Sequence, residues 1–350
     1  MTRRTTTVTS AVLLLVTLVC VALLLPVPYV TLSPGPTLDT LGEQNGRPVI
    51  SIEGDVRTYD DGGQLDLVTV SVTSPDAEVG LADAFQAWFD PAAALVPRDL
   101  IYPSGETAQQ ADEQTKQQMT GSQTSSEVAG LIAVGYPGVV AVAEVAADGP
   151  ADGQVRVDDR IVSVDGRPVS SPDQVIDAVS GRTPGDPVRL GVRRGDAVTQ
   201  TVTLTTVAAP DDLDVARIGV SIVQDVDADV EITNNVGQNI GGPSAGTMFA
   251  LAIYDKLTPG SLTGGQTVAG TGEISADGVV GPIGGVQQKI VGARDDGASI
   301  FLVPAENCGE ALGADVDPSE ISLVRISTLD DAVASLEAIA ADPQAEVPTC

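Results

Sequence analysis

The chain has 350 residues, more than the roughly 100 to 200 of a single domain, so two domains with real cores are expected. Its 48 acidic against 18 basic residues leave a net charge of −30, which opposes a non-specific basic surface, so no nucleic-acid partner is expected. Histidine is absent, which removes imidazole as base or metal ligand, and no metal or cofactor is expected. Any catalysis needs another base, and Lys116, Lys256 and Lys289 are the only lysines.

From Val8 to Val30 no residue is charged, and Ala11 to Leu25 is nearly all Leu, Val and Ala. A helix from Val8 to Pro28 would rise about 31 Å, close to the roughly 30 Å of a bilayer's hydrocarbon. Leu24 to Val30 offers no small residues where signal cleavage needs them, so a retained anchor is favoured over a cleaved signal. Bulky Val19 before Cys20 disfavours lipidation. Arg3 and Arg4 precede the run while Asp39 and Glu43 follow it, which keeps the N-terminus cytoplasmic. Residues 1–30 are thus expected as a cytoplasmic tip and single-pass plasma-membrane anchor, held in the bilayer through residues 8–30, with everything beyond extracytoplasmic. An oxidising outside lets Cys308 and Cys350 pair, worth about 3 to 4 kcal/mol; a buried Cys308 with a free terminal thiol is the alternative.

After the stiff Pro34-Gly35-Pro36, the runs Val49 to Ile52 and Leu65 to Val72 alternate as strands, and Asp60-Asp61-Gly62-Gly63 between them predicts a hairpin. Ala82 to Leu95 is expected as a helix carrying Phe85, Trp88 and Phe89. Gln109 to Thr124 is polar and Gln-rich, an exposed helix or linker. From Val139 the pattern becomes short strands with Gly-Asp turns: Gly138 to Val142, then Asp148-Gly149-Pro150-Ala151-Asp152-Gly153, then Ile161-Val162-Ser163-Val164-Asp165-Gly166-Arg167-Pro168-Val169. A helix, Pro172 to Ser180, and strands Val188 to Arg193 and Val198 to Leu204 follow. These runs resemble a PDZ domain of the circularly permuted bacterial kind, with Asp158-Asp159-Arg160 where Gly-Asp is usual. The resemblance implies an edge that takes an extended peptide as an added strand. Its end-capping loop would fall near Val134-Gly135-Tyr136-Pro137, a poor match, and a module that only docks or packs is the competing reading.

Gly241-Gly242-Pro243-Ser244-Ala245-Gly246 opens an apolar helix, Thr247 to Tyr254. A serine at a glycine-rich helix start has unpaired backbone N–H groups beside it that can hold an oxyanion; taken alone, an N-cap serine is the favoured reading. Downstream stand Thr271-Gly272-Glu273-Ile274, then Pro282-Ile283-Gly284-Gly285 leading to Lys289, then Val303-Pro304-Ala305-Glu306-Asn307. Together these four ordered motifs resemble the proteolytic domain of Lon proteases over roughly Val215 to Ala340. The resemblance implies Ser244 as nucleophile, Lys289 as general base and Thr271 as the hydroxyl that orients the lysine. A free lysine, with a pKa of about 10.4, is useless as a base until burial lowers it. Backbone N–H groups of Ser244 and Gly242 are the oxyanion candidates, since Pro243 has none. Gly241 stands where the family has an acidic residue.

The fold expected is α+β: a Lon-like proteolytic domain with an inserted PDZ domain, preceded by one transmembrane helix. The divisions are 1–30, then 31–128 as the first part of the Lon-like domain, 129–207 as PDZ, and 208–350 carrying the dyad. No GxxxxGK[ST] phosphate loop occurs, so an ATP-independent serine endopeptidase acting on protein or peptide substrates is expected. A non-catalytic PDZ scaffold and a tail-specific protease are the competing readings, and a homo-oligomer is left open.

Overall fold

The computed structural model describes residues 3–23, 25–103, 105, 107–195, 197–237 and 240–350, with side chains from Thr7 onward. In chain order, α1 (Arg3–Leu23), β1 (Tyr29–Asp39), β2 (Ile50–Gly54), β3 (Gln64–Val72), α2 (Leu81–Phe89), β4 (Ala94–Pro97) and the long α3 (Ala108–Val134) come first. A module follows: β5 (Gly138–Val145), β6 (Arg160–Val164), α4 (Pro172–Ser180), β7 (Pro187–Arg193), β8 (Gln200–Thr205) and β9 (Val220–Val226). The chain ends with β10 (Val230–Asn234), α5 (Gly246–Leu257), β11 (Thr267–Gly270), α6 (Val286–Asp295), β12 (Ile300–Pro304), β13 (Ser322–Ile326) and α7 (Leu329–Ala341).

The main sheet has the order β13-β12-β11-β3-β1-β4, so segments from both sides of the module build one mixed α/β layer. Its β11, β12 and β13 are parallel, and β12 is buried throughout, as expected where helices cover both faces. Alternation along β3 sends Leu65 and Leu67 into a core with α3, α5 and α7, and Val68 into a second core with Val286, Ile290 and Ala293 of α6. Cys308 and Cys350 form a disulfide, and the Cys350 N–H donates to the Leu323 carbonyl, so the end of the chain lies along β13.

The expected hairpin is not formed. β2 pairs with β10, Ile52 opposite Ile232, while β3 pairs with β1, Leu67 opposite Leu38. Pro34-Gly35-Pro36 does not stiffen an exit segment but sits at an irregularity in β1, where a missing N–H costs no ladder bond. The helix α2 stops at Phe89 because Asp90 precedes Pro91, and Ala94–Pro97 instead extends the sheet beside β1.

The membrane anchor is also corrected. Among the described residues no helix is long and apolar enough to cross a membrane. α1 ends at Leu23, Pro26 and Val27 pair with Gly80 and Val79, and Val30 is fully buried in the sheet. The last part of the expected 8–30 span is therefore strand paired within the folded protein, and Val8 to Leu23 rises only about 24 Å. The single-pass plasma-membrane location expected from the sequence is withdrawn on this finding. The side chains of Arg3 and Arg4, on which the expected orientation rested, lie outside the described residues.

The expected boundary at 128/129 falls inside α3, whose Met119, Val128, Ala129 and Leu131 belong to the same core as Leu65 and Leu67 of the main sheet. At the other end the module does not close at 207, because β9 pairs with β5 along its whole length, Ile222 opposite Val142. Its exit is anchored by Arg160 and Arg193, both bonded to Asp227 just beyond β9.

Candidate functional site

Ser244 and Lys289 come from opposite layers. Ser244 precedes α5 on one face of the sheet, and Lys289 lies one turn into α6 on the other. They meet at Thr271, the first residue beyond the end of β11. Lys289 Nζ is 2.7 Å from Ser244 Oγ and 2.9 Å from Thr271 Oγ1. The Thr271 hydroxyl donates its one proton to the Ser244 carbonyl at 3.0 Å, so toward the lysine it accepts. A neutral Lys289 that gives one N–H to Thr271 keeps its lone pair free for the Ser244 O–H. Ser244 is not an N-cap: Ala245 occupies that place without a side-chain bond, and the serine hydroxyl is spent on the lysine.

Lys289 is 3% exposed, and among the described residues no carboxylate compensates its charge. Burial alone lowers its pKa from the usual 10.5 to about 7, the range a general base needs near neutrality. Helix α6 is set by the loop before it. The Asn307 side chain receives the Ile283 N–H at 2.8 Å and donates to the Ile283 carbonyl at 2.9 Å, fixing Pro282–Gly284 ahead of the helix. This gives Asn307, a motif residue with no role readable from sequence, a positioning contact.

The loop that carries Ser244 leans on α3, whose Gln109 to Thr124 part is expected from the sequence as an exposed helix or linker. Thr115 and Ser122 on this helix both contact the loop. The Ser122 hydroxyl donates to the Pro243 carbonyl at 2.9 Å. A Cβ on Gly246 would come 2.7 Å from Ser122 Oγ, so the last glycine of that motif lets α3 approach. The signal for this buried face is a stripe at helical spacing, Met119, Ser122, Ser126 and Ala129, hidden because most of its members are small or polar.

One oxyanion assignment does not hold in this conformation. The Gly242 N–H donates to the Thr115 carbonyl at 3.2 Å, whereas the Ser244 N–H has no partner among the described residues. Gly241 is explained by the same neighbour: a Cβ there would collide with Thr115 Cγ2, leaving no room for the acidic residue the family carries.

Ser244 and Lys289 open on a cleft of about 470 Å³ walled by Leu67, Val70, Met119 and Ile240. Along it runs the part of β3 that β11 does not reach, since β11 pairs only Gln64 to Leu67. Val68 to Val72 therefore present a strand edge to the cleft.

Two parts of the chain match known protein families. Residues 214–336 match the family model of the Lon protease (S16) C-terminal proteolytic domain, and residues 113–206 match that of the PDZ domain. Lon protease 2 of Bacillus subtilis (strain 168) is 40% identical over 99 residues, 28% of this chain and 17% of that protein. The peroxisomal Lon protease homolog 2 of Caenorhabditis elegans is 35% identical over 121 residues, 34% of this chain and 15% of its own. They support a serine peptidase with the Lon Ser–Lys dyad. The matched stretch is about a sixth of each relative's length. Among solved structures, the PDZ domain of the SdrC-like protein from Listeria monocytogenes is 27% identical, covering 25% of this chain and 90% of that one, at a TM-score of 0.23.

A groove of about 420 Å³ in the module lies between α4, with Val175, Ile176 and Val179, and the segment Ala216 to Ile222. Val134 to Pro137, where the sequence reading put the end-capping loop, does not line it and instead closes α3 through the left-handed Gly135. At the departure Asp158-Asp159-Arg160, Asp159 is fully buried and accepts from Arg194 Nε at 2.6 Å and Nη2 at 2.7 Å. Burial alone would raise its pKa; Arg194 and the Arg156 N–H outweigh that and hold it below the usual carboxylate range.

Proposed function

We propose that this chain is an ATP-independent serine endopeptidase in which Ser244 is the nucleophile, Lys289 the general base and Thr271 the lysine-orienting hydroxyl. The observation that carries the reading is a buried lysine with a pKa near 7, 2.7 Å from a serine that opens on a cleft. An extended segment of substrate lies as an added strand along Val68 to Val72, which brings its scissile carbonyl to Ser244. The proton of Ser244 passes to neutral Lys289 as Oγ bonds to the carbonyl carbon. The oxyanion forms against the Ser244 N–H. Collapse expels the amine, which takes the proton back from Lys289 and leaves an ester on Ser244. Water then attacks that ester with Lys289 again as base, releasing the acid and restoring both residues. No nucleotide enters, in keeping with the missing phosphate loop, so the segments cut are already extended or flexible. The groove beside α4 docks another part of the same substrate.

A serine-reactive fluorophosphonate probe and a quenched peptide test this without ATP. Wild type is expected to be labelled and to cleave; folded Ser244→Ala is expected to do neither. In Lys289→Arg, which stays protonated, the activity rise near pH 7 is expected to vanish. More than about a tenth of wild-type activity in folded Lys289→Ala would remove the lysine from its role.

A further inference from the structure

We propose that Ser122 is a positioning residue for the oxyanion site, acting through the Pro243–Ser244 peptide; the inference rests on the Ser244/Lys289 reading. Hydroxyls within helices ordinarily turn back on their own helix, and the neighbours of Ser122 do so. Thr120 donates to the Lys116 carbonyl, Thr124 to that of Thr120 and Ser126 to that of Gln123. Ser122, 5% exposed, instead reaches 121 positions along the chain to the Pro243 carbonyl.

That carbonyl shares a peptide plane with the Ser244 N–H. In a trans peptide the two point in opposite directions, so a donor that holds the oxygen toward α3 aims the N–H away from it. The Pro243 ring fixes one neighbouring dihedral, leaving the plane to turn about Pro243 ψ and Ser244 φ. The next carbonyl, that of Ser244, is held independently by Thr271 Oγ1 and by the Gly272 N–H at 2.9 Å. Among the described residues, the plane before the serine has only Ser122 and a long 3.4 Å turn contact from the Gly246 N–H. Since the Gly242 N–H is committed to Thr115, the Ser244 N–H is the donor left for the developing oxyanion, and Ser122 sets its direction.

The test uses the full chain with Ser122→Ala and Ser122→Cys, the latter keeping side-chain bulk with a poor donor. Steady-state cleavage of a short peptide is measured alongside inhibition by two matched peptides. One is a boronate, which bonds to Ser244 Oγ as the serine proton passes to Lys289 and places a boron-bound oxygen in the oxyanion position. The other has its scissile bond reduced to CH2–NH and offers no such oxygen. With the orienting bond gone, kcat is expected to fall about tenfold and boronate affinity by the same factor. KM, affinity for the reduced peptide and the inflection near pH 7 are expected to stay as in wild type. Activity and boronate affinity within twofold of wild type in either folded variant, or equal loss for both inhibitors, overturns the assignment. If Ser122→Ala does not fold, Ser122→Cys decides. Failure of the dyad itself would show elsewhere, as labelling and cleavage persisting in Ser244→Ala.

Discussion

Replacing Lys289 by methionine should stabilise the protein, and by an amount that depends on pH in a calculable way. A base whose pKa is lower folded than unfolded leaves the unfolded chain holding more protons between the two values, so stability rises with pH across that window. Here the window runs from about 7 to 10.5. At about 1.4 kcal/mol per unit, the full penalty below pH 7 is about 5 kcal/mol, of which about 2 kcal/mol accrues between pH 9 and pH 7. Methionine has similar length and no charge, so Lys289→Met is free of this term. It also loses the contacts to Ser244 and Thr271, but that loss is a constant and does not bend the pH profile. Urea unfolding of both proteins at pH 6, 7, 8 and 9 isolates the lysine, because all other groups cancel in the difference. The stability gap should widen in favour of Lys289→Met by about 2 kcal/mol from pH 9 to pH 7 and flatten near pH 6. A gap constant to within about 0.5 kcal/mol over the same range would show that Lys289 titrates normally, and the mechanism would lose its base.

Two further outcomes follow from other parts of the molecule. Ile176→Glu places a charge in the apolar groove beside α4, so cleavage of a protein substrate should fall about tenfold while a short peptide is cut at the wild-type rate; equal effects on both would reduce the module to a brace. Asp66 is buried in β3, and burial, then Asp39 and Asp296, raise its pKa to about 6. An acid raised above its unfolded value loses stability as pH rises through the interval. Asp66→Asn should therefore gain about 2 kcal/mol over wild type between pH 4 and pH 7, a gain that denaturant titrations at the two pH values would detect or exclude.

What the sequence by itself determined is local chemistry. The glycines around Ser244, the turn before Lys289 and the Ile161 to Val169 run are short segments whose backbone demands and side-chain types are written in consecutive residues. The depressed lysine was foreseeable in the same way, from its apolar neighbours Ile283, Val286, Ile290 and Val291. What only the tertiary structure decided is which segments meet. Hydropathy made Val8 to Val30 one continuous span, because a window cannot see that Pro26 to Val30 has partners at Val79, Gly80 and Val96. The turn at Asp60 to Gly63 suggested a local hairpin, yet β2 pairs with β10 and β3 with β1. The module looked complete at 207, although β9, lying next to the proteolytic segment in sequence, is needed to cover β5. Helix α3 shows the reason most plainly. Besides Met119, Val128 and Leu131, its buried positions are the small or polar Ser122, Ser126, Ala129 and Gly130, since it comes close to the Ser244 loop and to α5: a Cβ on Gly130 would come 3.0 Å from the Ala250 carbonyl oxygen. Space of that kind is a property of two surfaces together, and one-dimensional patterns of hydrophobicity do not carry it.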